Sequence, residues 1–126
     1  MPVEYESDES LDLTIATVKG TPTLDEIVSA LKSFYGGQPT KKVIWNWTGS
    51  DPSQLTVTEL QQLASFPARY GEHRRGARTA MVAPEDSSFG ISRMFQSFGE
   101  QNGLPFALRV FHNIDNALAW LAEPEK

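Results

Sequence analysis

The chain has 126 residues, of which 40% are hydrophobic and 10% aromatic, enough apolar material for one compact core and too little for two. Its 11 Lys and Arg stand against 16 Asp and Glu, a net charge of -5, which argues against a nonspecific nucleic-acid binder drawing affinity from neutralised phosphates. The absence of cysteine excludes disulfides, thiolate zinc sites and a cysteine nucleophile, and no apolar run approaches the roughly 18 residues of a membrane span.

The opening Met-Pro-Val-Glu-Tyr-Glu has neither a basic n-region nor an apolar h-region, so a cytoplasmic protein is expected. Val3 and Tyr5, then Leu11, Leu13 and Ile15, alternate with polar residues. The turn Ser7-Asp8-Glu9-Ser10 between them predicts a hairpin whose acidic residues, Glu4, Glu6, Asp8, Glu9 and Asp12, suit a solvated edge. Thr23-Leu24-Asp25-Glu26 is a capping box, and Leu24, Ile27, Val28, Leu31, Phe34 and Tyr35 follow at helical spacing until Gly36-Gly37. Val43 to Thr48 reads as a strand with Val43, Trp45 and Trp47 on one face and Ile44, Asn46 and Thr48 on the other.

A second capping box, Thr56-Val57-Thr58-Glu59, opens a helix with Leu60, Leu63 and Ala64 buried, which Pro67 should bend or end. Ala80 to Ala83 is the apolar run of a central strand covered on both faces. Ile91, Met94, Phe95 and Phe98 form the buried stripe of a helix closed by Asn102-Gly103. Phe106, Leu108 and Val110 alternate as a last strand, and Asn113 caps a final helix with Ile114, Ala117, Leu118 and Leu121 inward. The order β-β-α-β-α-β-α-β-α predicts an α/β fold in one domain over 1–126, with four helices and a five-stranded mixed sheet, antiparallel at the N-terminal hairpin and parallel through the centre with right-handed crossovers.

No glycine-rich phosphate loop, nucleophile elbow or zinc-protease helix is present, so no catalytic residue, metal ligand or cofactor is assigned. His73 and His112 sit in different segments without a metal-like partner at helical spacing and are expected at the surface. Arg69, Arg74, Arg75 and Arg78 concentrate charge between the second long helix and the next strand. Such a cluster either holds an anion or acidic partner or is a solvated turn paired with the acidic N-terminal segment. Trp45 and Trp47 either line a lipid or small-molecule cavity or belong to the core or an oligomer interface. Arg93 stands near a helix start, where the macrodipole opposes a cation, and is expected to pair with Glu85 or Asp86 or to contact a ligand.

The candidate binding site is the crevice outside the carboxyl ends of the parallel strands. Its expected walls are the Thr48–Ser53 loop, with Thr48 and Ser50, and the helix start at Phe89-Gly90, where Gly90 lets backbone approach closely, Phe89 offers an apolar face and Arg93 a charge. Three Trp and seven Phe in so short a chain leave rings for an interface patch, and a homodimer is expected.

The run Val43-Ile44-Trp45-Asn46-Trp47-Thr48-Gly49, the stretch Ala80-Met81-Val82-Ala83-Pro84-Glu85-Asp86 with Phe89-Gly90-Ile91-Ser92-Arg93-Met94, and Leu108-Arg109-Val110-Phe111 leading to Ala117-Leu118-Ala119-Trp120-Leu121 together resemble the bacterial SpoIIAA-like family. That family is related in fold to the STAS domains of anti-sigma factor antagonists and sulfate transporters and is compared with CRAL-TRIO lipid-binding domains. The resemblance implies a non-enzymatic regulatory or protein-interaction module or, alternatively, a carrier of a lipid or small anionic ligand. In the anti-sigma antagonists the phosphate-accepting serine stands in an Asp-Ser-Ser-Gly-like motif after the strand matching Val43 to Thr48. Here the sequence is Thr48-Gly49-Ser50-Asp51-Pro52-Ser53, with Asn46 where the family commonly has Asp, so no single hydroxyl matches the acceptor. Thr48, Ser50 and Ser53 remain chemically able to take phosphate near the helix N-terminus capped by Thr56.

Overall fold

The computed structural model describes residues 3–37 and 39–124. Strands β1 (Val3–Asp8), β2 (Leu13–Val18), β3 (Lys42–Asn46), β4 (Arg78–Val82) and β5 (Ala107–Phe111) alternate with helices α1 (Leu24–Gly36), α2 (Val57–Tyr70), α3 (Asp86–Gln101) and α4 (Ile114–Leu121) after the opening hairpin. The five strands lie side by side in chain order, β1 and β2 antiparallel and every later pair parallel. This is the α/β, mixed-sheet architecture expected from the sequence.

Sequential strand order decides where the helices go. Each crossover advances one strand in the same direction, so right-handed connections lay α1, α2 and α3 on one face of the sheet, and α4 packs on β3, β4 and β5 from the other. Two cores follow from the pleat. On the three-helix side Val18, Ile27, Leu31, Leu60, Leu63, Met81 and Leu108 pack together; on the α4 side Ile44, Ala80, Val82, Ala117, Trp120 and Leu121 do so. The register row Ala16, Trp45, Met81 and Val110 faces the first core, and the row Ile15, Ile44, Ala80 and Arg109 faces the second. Glu4, Glu6 and Asp8 lie on the α4 side of edge strand β1, opposite Thr17, Ile15 and Leu13, and all three acids are exposed.

The local signals hold where they are chemically complete. Thr23 and Thr56 both close reciprocal capping boxes, with Glu26 and Glu59, and Asn113 accepts from the Asn116 N–H at the start of α4. Four details differ from expectation. The hairpin turn lies two residues later: β1 extends to Asp8, Asp12 adopts φ +52°, and Leu11 is 54% exposed in the turn instead of alternating into a strand. Strand β3 ends at Asn46, although the Trp47 N–H still donates to the Val82 carbonyl. Pro67 does not end α2, because it stands in the last turn, where its own carbonyl takes the Gly71 N–H at 2.7 Å.

The last difference concerns which helix faces are buried. In α3 the fully buried residues are Ser88, Ser92 and Gly99, flanked by half-buried Ile91, Phe95 and Phe98, and Met94 is turned to solvent. Leu104 lies against Gly99 so closely that a Cβ there would fall 2.9 Å from Leu104 Cδ1, so a larger residue would have to displace the Leu104 side chain. In α4 Trp120 is buried where Leu118 was expected, and Leu118 is 38% exposed.

Candidate functional site

Parallel strands bring the loops after β3 and β4 to one edge of the sheet, where α3 packs against the 3-10 turn at Pro52–Gln54. The expected crevice residues nevertheless divide between different surroundings. The Ser50 side chain is buried, its hydroxyl donating to the Trp47 carbonyl at 2.8 Å, and its backbone bridges to Gly20. It therefore clamps the loop to the end of β2 instead of lining a crevice. Thr48 is exposed, its N–H held by Asn46 Oδ1, and Asp51 caps the 3-10 turn through the Ser53 N–H. The Ser53 hydroxyl and N–H hold the Asp51 carboxyl below its usual range.

Across the edge, Phe89 turns away from this loop. Its ring stacks on His112 with centroids 3.9 Å apart and planes 9° from parallel, tying the first turn of α3 to the residue after β5. Gly90 is exposed, and a Cβ built on it would meet nothing within 4 Å, so no close backbone approach requires glycine there. Arg93 is exposed, and no ion pair with Glu85 or Asp86 is present among the described residues. The expected acidic partner is thus not found. His112 is exposed as expected, and the His73 side chain lies outside the described residues.

The four arginines do not act as one cluster. Arg74 is only 2% exposed. Its Nε donates to the Thr40 carbonyl at 2.7 Å, Nη1 to Thr79 Oγ1 at 2.6 Å, and Nη2 to the carbonyls of Arg78 and Lys41 at 2.9 and 3.1 Å. The guanidinium lies over Phe106, 4.6 Å from the ring centroid, and interacts with the Tyr35 hydroxyl. Burial pulls Arg74 below its ordinary value and pushes Tyr35 up. Arg75 forms a bidentate pair with Glu72, and Arg78 donates to the carbonyls of Trp120, Glu123 and Pro124 at the end of α4. Arg69 is exposed. Three of the four are hydrogen-bonded to protein acceptors. Among the described residues no three His, Asp or Glu side chains converge as a metal site requires.

Trp45 and Trp47 do come together, on the three-helix side of the sheet. They line an apolar cavity of about 50 Å³ between β3, β4 and the helices, with Tyr35 from α1, Leu60 and Leu63 from α2, and Ser92 and Phe95 from α3. Pro52 and Leu55 of the loop after β3 reach it too, so the loop contributes through its apolar residues and not through its hydroxyls. Trp47 is 8% exposed, and its Nε1 has no hydrogen-bond acceptor among the described residues. Buried indole N–H groups normally find one.

Ser92 is the residue that sequence reasoning missed. It is 3% exposed and lines the cavity, and no hydrogen bond of its hydroxyl is present among the described residues, whereas Ser88 one turn earlier donates to the Glu85 carbonyl at 3.0 Å. The available signal was the i, i+4 pair of small polar residues on the stripe that also carries Phe95 and Gly99. Among the described residues no helix is long and apolar enough to cross a membrane. Comparison with protein-family models, with curated proteins and with solved structures returned no match.

Proposed function

We propose that this chain is a non-enzymatic binding module of the SpoIIAA-like, STAS-related type that takes a small, mainly apolar molecule into the space between its sheet and helices. The observation that carries this is the apolar cavity that Trp45 and Trp47 line between the sheet and the helices. An empty void of about 50 Å³ costs on the order of 1 kcal/mol, so an occupant that fills it recovers that amount. A space of this size is about a third of the ~150 Å³ that holds benzene, so it takes a group of a few heavy atoms and not a ring or a lipid tail. The carrier alternative is therefore narrowed to small ligands, and the site moves from the Phe89 and Arg93 crevice to the interior.

Native mass spectrometry of the purified protein tests the proposal. A retained small molecule, or a rise in melting temperature with members of a fragment library, supports it; a bare chain that no fragment stabilises overturns it.

A protein partner is the second reading, favoured by the stack of Phe89 on the exposed His112 and by the exposed Arg93 of the same helix that carries Ser92 to the cavity. In that reading occupancy of the cavity is signalled to a partner at the sheet edge in the cytoplasm. Arg93→Ala abolishes capture of that partner and leaves ligand binding intact. Homodimerisation belongs to the same proposal, and light scattering at twice 14.0 kDa supports it, whereas a persistent monomer removes it.

A further inference from the structure

The two faces of the sheet are covered unequally. Helices α1, α2 and α3 share one face, whereas α4, eight residues long, packs on β3, β4 and β5 from the other. Neighbouring strands lie about 4.8 Å apart and packed helices about 8–10 Å apart, so a second helix laid beside α4 would rest on β2, with β1 under its outer flank. The residues there are open. Ile15, Thr17 and Asn46 are half-buried, and Glu6 and Glu4, which pair with Ile15 and Thr17 across the hairpin, are exposed.

Helix α4 turns an apolar flank to the same space. Trp120 meets Phe111 and Arg109 of β5, with 5.7 Å between the ring centroids and the guanidinium 5.6 Å from the indole, so that side of the helix looks toward the β5 edge. Leu118 stands about 200° around the helix from Trp120, with Ile114 one turn before it, which puts both on the flank toward β2. Leu118 is 38% exposed, and Ile114 is half-buried against the core on this side. Both rims are acidic: Glu4 and Glu6 on β1, and the exposed Asp115 three residues before Leu118 on α4. Among the described residues these acids make one ion pair, that of Glu4 with the exposed Lys19 at 3.0 Å. Lys42 and Arg78 lie at the other end of the face, in the register row of Asp8 and Leu13.

We propose that this face is a docking surface for a basic amphipathic helix of a partner protein. The apolar stripe of that helix covers Ile15, Ile114 and Leu118, and its lysines or arginines face Glu4, Glu6 and Asp115. Charge selects the occupant: a second copy of this chain, itself at -5, would set like charge against like, whereas a basic helix meets acids on both rims. The surface lies on the opposite side of the sheet from the cavity and does not depend on it.

Two amphipathic peptides of about 14 residues, four helical turns, test this; both repeat leucine at helical spacing, one with lysine and the other with glutamate at the remaining positions. Each is titrated into the full chain labelled with ¹⁵N. The lysine peptide is expected to shift amides of β1, β2 and α4, and the glutamate peptide is expected not to bind. Glu4→Gln with Glu6→Gln should weaken the lysine peptide roughly 3- to 10-fold, the worth of two rim ion pairs, and Leu118→Gln should weaken it in the same direction. Asp25→Asn with Glu100→Gln removes the same charge from exposed positions on the three-helix side and should change it by less than about twofold. The proposal is overturned if that control pair weakens the lysine peptide as much as the rim pair does, since net charge alone then accounts for the attraction. It falls equally if the shifted amides lie on α1, α2 and α3, if the glutamate peptide binds as tightly, or if neither peptide binds.

Discussion

Replacing Arg74 by Ala should be among the most destabilising single changes in this chain. The side chain is 2% exposed and holds together three segments distant in sequence: the Thr40–Lys41 lead into β3, the Arg78–Thr79 start of β4, and Phe106 before β5. Truncation leaves the carbonyls of Thr40, Lys41 and Arg78 without that donor and opens space beside Phe106. Hydrogen bonds from a charged donor are worth about 1.5–3 kcal/mol each, but they are not additive, and removing one side of a buried ionic arrangement typically costs about 3–5 kcal/mol. For a chain of this length each kcal/mol lowers the melting temperature by about 4 °C, so the expected fall is about 12–20 °C. Thermal and urea unfolding followed by circular dichroism measure it. Arg75→Ala, which loses an exposed pair with Glu72, is the control and should melt close to the parent. If Arg74→Ala melts within about 4 °C of the parent and abolishes stabilisation by added phosphate, the guanidinium is an anion site and the structural assignment is wrong.

Gly71→Ala should cost about 2–3 kcal/mol, because its Cβ would stand 2.4 Å from the Pro67 carbonyl oxygen, a backbone atom fixed by the helix end; an unchanged urea midpoint would refute the clash. Ser50→Asp should destabilise by about 1–3 kcal/mol, since it places a carboxylate where a buried hydroxyl now donates to the Trp47 carbonyl, whereas Thr48→Asp on the exposed neighbour should be nearly neutral in the same melts. Stability should decline at alkaline pH through Tyr5. Burial, with Tyr35 nearby, pushes its phenol up to about 12 from 10.0, so the unfolded chain releases that proton first and the native state loses stability as pH rises from about 10 to about 12. Tyr5→Phe, which also removes the hydrogen bond to the Ala30 carbonyl, should flatten that decline; an identical slope in both proteins would exclude Tyr5 as its source.

Elements whose signals are local could be read directly from the chain. Two capping boxes, an Asn cap and the alternation from Val43 to Trp47 place α1, α2, α4 and β3 with little help from tertiary context. What escaped was decided by packing between distant segments. Arg74 and Arg78 are four residues apart, yet one enters the three-helix side of the sheet and the other reaches the end of α4, because backbone direction and not sequence distance sets where a side chain goes. Gly99 of α3 faces inward where Leu104 takes the space a larger side chain would need, and hydrophobic periodicity alone chooses Met94 over Ser92. Trp45 and Trp47 were legible as a pair with an open choice between core and cavity, and their positions join the two: core residues that border a void.

The acidic face of β1 sets limits on how this protein meets another copy of itself. As the outer strand it carries backbone donors and acceptors that no sixth strand occupies, the arrangement from which edge-to-edge polymers grow. A second chain docking antiparallel on that edge would bring Glu4, Glu6 and Asp8 alongside the same three residues of its twin, with Lys19, 3.0 Å from Glu4, the one cation paired with these acids among the described residues. Strand continuation between identical copies is thereby penalised at low salt, and the penalty fades as ions screen it or as acid protonates the carboxylates. A solution that clouds on acidification before it unfolds would be this edge losing its guard.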